Sequence, residues 1–260
     1  MRDALLSFAI VAALAAPAMA EQPVDLELVL AVDASGSVDD REFRLQLEGI
    51  AQAVQDPAVI AAIETGPLKR IAIELLVWAD HPLPSDVSGW FVITDGPSAA
   101  AFAAVVAPYP RRLNGGTGMG MGVANAARAM EDNGYAGTRL TIDVSGDGAE
   151  SPPRDYTVLM PQARMMAGAL GITINGLAIL GSEDGVEEWY RNNVLTGPGS
   201  FLEVAQGYED FARAMQRKLV QEIEVRPRLS MISPAANFSV AASPQTPAPF
   251  HATPPSAGGT

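Results

Sequence analysis

Asp33, Ser35 and Ser37 stand at alternate positions in the stretch "AVDASGSVDD" (31–40), directly after an apolar run. Two later stretches carry groups of the same kind. "NGGTGMGMG" (114–122) holds Thr117, and "DVSGDGAES" (143–151) holds Asp147. Together they offer two carboxylates and three hydroxyls, with no nitrogen or sulfur. Such a set suits a hard divalent cation: Mg²⁺ takes about six oxygens near 2.1 Å and keeps some of its waters, and Mn²⁺ or Ca²⁺ accepts related sets. Hydroxyls beside few carboxylates leave the cation under-neutralised, and so electrophilic towards a carboxylate brought by another molecule. The composition closes other routes. The chain has no cysteine, which excludes thiol catalysis and thiolate metal sites. Its two histidines, His81 and His251, are too few for a histidine-rich zinc site.

Neighbouring polar residues have simpler roles. Asp39 and Asp40 follow Ser37 at the start of an expected helix, where negative charge is favourable. A literal Thr94-Asp95-Gly96 ends a strand expected to run antiparallel, so it reads as a turn and helix cap. Glu150 has two open readings, a water-mediated contact to a cation and a helix N-terminal charge. Asp143 shares a strand face with Ser145, and both a supporting and a purely structural role stay open. Asp80 and His81 read as a solvated rim, and Trp189 and Tyr190 as packing. The alternating glycines 116, 118, 120 and 122 give neither G-x-G-x-x-G nor G-x-x-x-x-G-K-[ST], so no nucleotide loop is present. No G-x-S-x-G esterase elbow occurs either. The glycines instead permit tight backbone near Thr117 and close helix packing.

The elements that must position these groups follow from periodicity. "LELVLAVD" (26–33) is a continuous apolar run, as in a strand buried on both faces. Phe43, Leu47, Ile50, Ala51 and Val54 form a helical stripe. Further strands are expected at 70–79, 89–94, 139–146, 171–180 and 200–205, with helices at about 97–106, 118–132 and 158–169. Tyr208, Phe211, Ala212, Met215, Leu219 and Ile223 make the apolar face of a closing helix. The alternation predicts a doubly wound α/β domain with a mostly parallel six-stranded sheet and helices on both faces. The link before 89–94 is too short for a crossover, which makes that strand a short antiparallel edge. In such sheets ligands bind beyond the carboxyl ends of the parallel strands, where Asp33 and Asp147 fall.

The residues now carry a resemblance. D-x-S-x-S after the first strand, a threonine after Gly-Gly, and an aspartate in D-G after the fourth strand resemble the metal-ion-dependent adhesion site (MIDAS) of von Willebrand factor A (vWA) domains. Asp33, Ser35 and Ser37 match the D-x-S-x-S positions, Thr117 the lone threonine and Asp147 the second aspartate. The resemblance covers about 25–224, and one departure stands out: the usual T-D-G is Gly146-Asp147-Gly148 here. The resemblance implies a non-enzymatic binding domain of a secreted bacterial branch. It would hold Mg²⁺, or Mn²⁺ or Ca²⁺, with a protein partner's carboxylate completing the shell. A metal-dependent phosphate-ester hydrolase is the alternative from another class, and a scaffold with a vestigial site is a third.

Composition sets the outer bounds. Residues 1–20 have the layout of a signal peptide, with cleavage after Ala18-Met19-Ala20, and predict export to the periplasm or beyond. Residues 21–226 have the size of one domain. Residues 227–260 hold seven prolines and one charged side chain, Arg228, and read as a disordered tail in which 228–240 can add a short strand. The net charge of −13 argues against nucleic acid as a partner.

Overall fold

The apolar runs form the strands of one central sheet. The computed structural model describes residues 20–80, 86–151 and 157–224. In chain order the elements are β1 (Gln22–Val24), β2 (Leu26–Asp33), α1 (Asp40–Val54), α2 (Pro57–Thr65), β3 (Ile71–Trp78), β4 (Asp86–Val87) and β5 (Phe91–Ile93). They continue with α3 (Gly96–Val106), α4 (Met119–Ala129), β6 (Tyr135–Gly137), β7 (Leu140–Gly146), α5 (Met160–Ala169) and β8 (Thr173–Ile179). The last are α6 (Val186–Asn193), β9 (Leu202–Ala205) and α7 (Phe211–Ile223). The expected signal peptide, apart from Ala20, and the expected tail with its short strand lie outside the described residues, as does His81. Among the described residues no helix is long and apolar enough to cross a membrane.

The sheet order is β4-β3-β2-β7-β8-β9, with β5 also paired to β3. Strands β2, β3, β7, β8 and β9 are parallel, while β4 and β5 run antiparallel to β3. All residues of β2 and β3 are buried. Leu26, Leu28, Leu30 and Val32 face the core shared with α1, α2, α3 and α7, and Val29 and Ala31 face the one shared with α4, α5 and α6. This is the doubly wound architecture expected. The chain passes from β2 to β3 on one side and reaches β7 on the other, so the loops after β2 and β7 meet where the order switches.

Seven strands make the sheet rather than six, because the antiparallel edge is divided. Between β4 and β5, the Ser88 hydroxyl accepts the Leu75 amide at 3.0 Å, and Gly89 takes a φ of 78°. The side chain thus replaces a ladder bond, and the turn at Gly89 splits one edge into two short pieces. A separate parallel pair, β1 with β6, and the helices α2 and α6 were not anticipated.

Glu74, on the β3 face that also presents Leu76 and Trp78, is 3% exposed, and its Oε2 has no hydrogen-bond partner. Burial pushes its carboxyl up from 4.5 to about 7. The folded state therefore favours the neutral acid, so stability falls as pH rises from about 4.5 to about 7 and stays lowered above that. Replacing Glu74 by methionine should stabilise the protein by about 1–2 kcal/mol at pH 8 and by little at pH 4.5, as read by urea unfolding at both pH values.

Candidate functional site

Asp33 ends β2 and is fully buried. Its Oδ1 accepts the Ser35 amide at 2.7 Å, which bends the chain so that the Ser35 and Ser37 hydroxyls lie 3.1 Å apart. Gln46 of α1 donates to the Asp33 carbonyl at 3.0 Å and holds the loop from below. Ser37, which is exposed, donates through its hydroxyl to Asp147 Oδ1 at 2.7 Å. Four of the five expected residues are therefore joined by hydrogen bonds across more than a hundred residues of sequence.

Thr117 reaches the same place through its backbone. Gly36 donates to the Gly115 carbonyl at 2.7 Å, which lays the Thr117 loop along the Asp33 loop. The Thr117 amide donates to Ser151 Oγ at 2.9 Å, and the Ser151 amide returns to the Thr117 carbonyl at 3.0 Å. Ser151 lies four residues past Asp147 and was not singled out in the sequence. No hydrogen bond among the described residues links the Thr117 side chain to the other four. The glycines make the approach possible: a Cβ on Gly115 would lie 2.4 Å from the Asp80 carbonyl oxygen, and one on Gly120 within 2.4 Å of the Leu159–Met160 backbone.

Buried oxygens without partners mark this place. Asp33 Oδ2 and Asp147 Oδ2 lack hydrogen bonds, as do the Tyr190 and Tyr208 hydroxyls. Burial pushes the Asp33 carboxyl up from 3.8 to about 7, and the Asp147 charge adds to the shift against the Ser35 bonds. Burial, then the negative charges of Asp33 and Asp147, holds the Tyr190 phenol well above its usual range. Tyr208 is raised by burial and by Asp147 in the same way. Two desolvated carboxylates with unused lone pairs are costly unless a positive charge joins them. The donor set is all oxygen and fits a hard divalent cation. It contains only two carboxylates, and no group of three or more His, Cys, Asp or Glu side chains able to hold a metal occurs among the described residues.

Gly146 also finds its reason here. A Cβ at that position would sit 2.7 Å from Asp33 Oδ2 and 2.8 Å from the Tyr190 hydroxyl. Threonine cannot fit there while Tyr190 keeps its place, so G-D-G is the form this packing admits. Tyr190, expected only to pack, thus lines the back of the site.

The remaining candidates separate from it. Asp39 is the N-cap of α1: its Oδ1 accepts the Arg41 and Glu42 amides, and Glu42 returns to the Asp39 amide in a capping box. Asp95 caps α3 in a similar way, as expected for the Thr94-Asp95-Gly96 turn. Glu150 accepts the Gly120 amide at 2.8 Å and the Met160 amide at 3.0 Å, so it caps α4 and α5 together, two helices whose N-cap residues, Gly118 and Leu159, offer no side-chain acceptor. Asp143 turns away and pairs with Lys218 at 2.9 Å, and is structural.

No curated protein matches the sequence. Residues 23–227 match the family described as "Protein of unknown function (DUF1194)". Among solved structures, the chain is similar to the PilB minor pilin of Streptococcus sanguinis at 12% identity and a TM-score of 0.56, over 80% of this chain and 63% of that one. It is similar to the pilus adhesin SpaC of Lactobacillus rhamnosus GG at 15% identity and a TM-score of 0.54, over 78% of this chain and 31% of that one. A third is the proximal thread matrix protein 1 of the mussel byssus with a zinc-occupied MIDAS motif, at 13% identity and a TM-score of 0.53, over 77% and 46%. This chain thus spans between about a third and just under two thirds of these proteins. At such identities the likeness shows the fold, which is vWA-like.

Proposed function

The chain belongs to the DUF1194 family of proteins of unknown function, and from the geometry of its site together with the signal-peptide layout of residues 1–20 we propose an exported, non-enzymatic binding domain. In this reading Asp33, Ser35, Ser37, Thr117 and Asp147 hold a divalent cation, Mg²⁺ or its relatives Mn²⁺ and Ca²⁺. The cation would supply an electrophilic position for a carboxylate of a protein partner. The observation that carries the proposal is the pair of buried, partnerless oxygens, Asp33 Oδ2 and Asp147 Oδ2, beside the linked hydroxyls of Ser35 and Ser37. Ser37 is exposed, so the cluster is open on the side a partner would approach. The zinc-occupied MIDAS of the mussel protein and the adhesive role of SpaC support the same reading by analogy of fold.

A binding role is favoured over phosphate-ester hydrolysis by the surrounding charges. Among the described residues, Arg111 is the basic side chain that hydrogen-bonds to the Asp33 loop, and it is engaged by Asp40 and three backbone carbonyls rather than free to hold a phosphate. Surface plasmon resonance with an immobilised chain and a glutamate-rich peptide tests the adhesive half. With a net charge of −13, the protein repels such a peptide except where a cation intervenes. Capture is expected in Mg²⁺ or Mn²⁺ and should vanish with chelator and in Thr117→Ala. Capture that survives chelation, or cation-loaded protein that ignores the peptide, contradicts the proposal.

A further inference from the structure

Arg111 lies in "PYPRRLNGGTG", between α3 and α4, and its sequence context suggests only a solvated loop cation. The structure places it against the Asp33 loop. The two N–H groups of its Nη2 are shared among three backbone carbonyls: Ala34 at 3.1 Å, Ser35 at 2.9 Å and Val38 at 2.6 Å. Its Nη1 pairs with Asp40 Oδ1 at 2.9 Å. The side chain is 16% exposed, and Nε is buried with no partner. Four residues on, the Gly115 carbonyl accepts the Gly36 amide, and Thr117 follows. One short segment therefore grips the loop bearing Ser35 and Ser37 and then delivers Thr117 beside it.

We propose that Arg111 is a positioning residue for the cation site. It fixes the backbone of residues 34–38 so that the Ser35 and Ser37 hydroxyls stand in register with Thr117. This inference rests on the cation-binding reading above. A planar guanidinium suits the task because its fork reaches several acceptors at once, which the point charge of a lysine does not. Carbonyls outside regular structure need donors, and Arg111 supplies one to each of the three from a distant part of the chain, the Ser35 carbonyl also accepting the Val38 amide at 3.2 Å.

The role can be separated from simple charge by the sign of the effect. A fixed positive charge this near a divalent cation opposes it. The Asp40 carboxylate offsets that charge. If Arg111 acted only as a charge, its removal would tighten cation binding. If it positions the loop, removal weakens binding despite the relieved repulsion.

The test is calorimetric titration of Mn²⁺ into the full chain and into Arg111→Met, Arg111→Lys and Asp40→Asn, each shown by circular dichroism to be folded without metal. Arg111→Met should weaken Mn²⁺ binding by at least about tenfold, in the range seen when groups that orient metal ligands are removed. Arg111→Lys should recover part of the loss. Asp40→Asn keeps the three carbonyl bonds and should weaken binding by only about twofold to threefold, more at low salt than at high. Binding by Arg111→Met as tight as wild type, or tighter, overturns the inference, as does Arg111→Lys indistinguishable from wild type. A wild-type chain that takes up no Mn²⁺ overturns the cation-binding reading as well. Wild-type uptake with an unaffected Arg111→Met overturns only the role of Arg111.

Discussion

Replacing Lys218 by methionine is expected to lower stability by about 3–5 kcal/mol at neutral pH, because it leaves two buried carboxylates without their cation. Lys218 sits on α7 and is 0% exposed. Its ammonium pairs with Asp143 of β7 at 2.9 Å and with Glu222, one turn on, at 2.5 Å. Asn175 of β8 donates to the same Glu222 oxygen at 2.9 Å, and the Phe201 ring lies 4.8 Å from the ammonium. Burial opposes the charge on Lys218, yet the two carboxylates outweigh it and raise its pKa. Asp143 is pushed up to about 7, mainly by burial, with Lys218 opposing the shift.

The pH dependence of the loss gives the mechanism away. Without Lys218 nothing opposes the effect of burial on Asp143, so the variant should regain stability as pH falls towards 5, where a proton takes the place of the ammonium on that carboxylate. Urea unfolding of wild type and Lys218→Met at pH 5 and pH 8 measures this. A loss that does not change with pH would mean that packing, not charge, dominates at Lys218. Adding Asp143→Leu and Glu222→Leu to the variant should restore most of the stability, since an apolar replacement of a buried ion cluster is often close to neutral.

What could be read in the sequence follows the range of the interactions. The strands at 26–33 and 71–78 were legible because burial on both faces writes itself as an unbroken apolar run. The D-x-S-x-S loop was legible because its ligands are local, and the caps at Asp39 and Asp95 because capping is local too. Helix α6 was not, since eight residues carry barely two turns of periodicity. Helix α2 hid for another reason. Its apolar residues run almost all the way round, although Asp56 and Pro57 gave a good start signal. The groups that support the candidate site, Arg111, Ser151, Tyr190 and Tyr208, act across long stretches of chain and leave no local pattern. Lys218 shows the limit most plainly. Helical periodicity treats a lysine as a surface residue, and only the distant Asp143, with Glu222 beside it, makes its burial tolerable. Gly146 was noticed as a departure from T-D-G, but its cause lay in the Tyr190 hydroxyl, some forty residues on.

The second large effect concerns the site itself. Asp33 is the residue on which the cluster is built: its Oδ1 orders the turn to Ser35, and its Oδ2 is one of the two open oxygens. Removing it deletes a prospective ligand and also releases the Ser35–Ser37 pair from its geometry. Loss of a supporting group near a metal costs about 10–100-fold in affinity, so loss of Asp33 should cost at least about 100-fold. Stability without metal should change far less, because the substitution also removes a buried carboxyl whose charged form burial disfavours. The most direct measurement is calorimetric titration of Mg²⁺ and Mn²⁺ into wild type and Asp33→Ala, both checked for folding by circular dichroism. The account predicts one cation bound per wild-type chain and binding weakened at least about 100-fold in the variant. Equal binding by the two proteins, or none by the wild type, would contradict it.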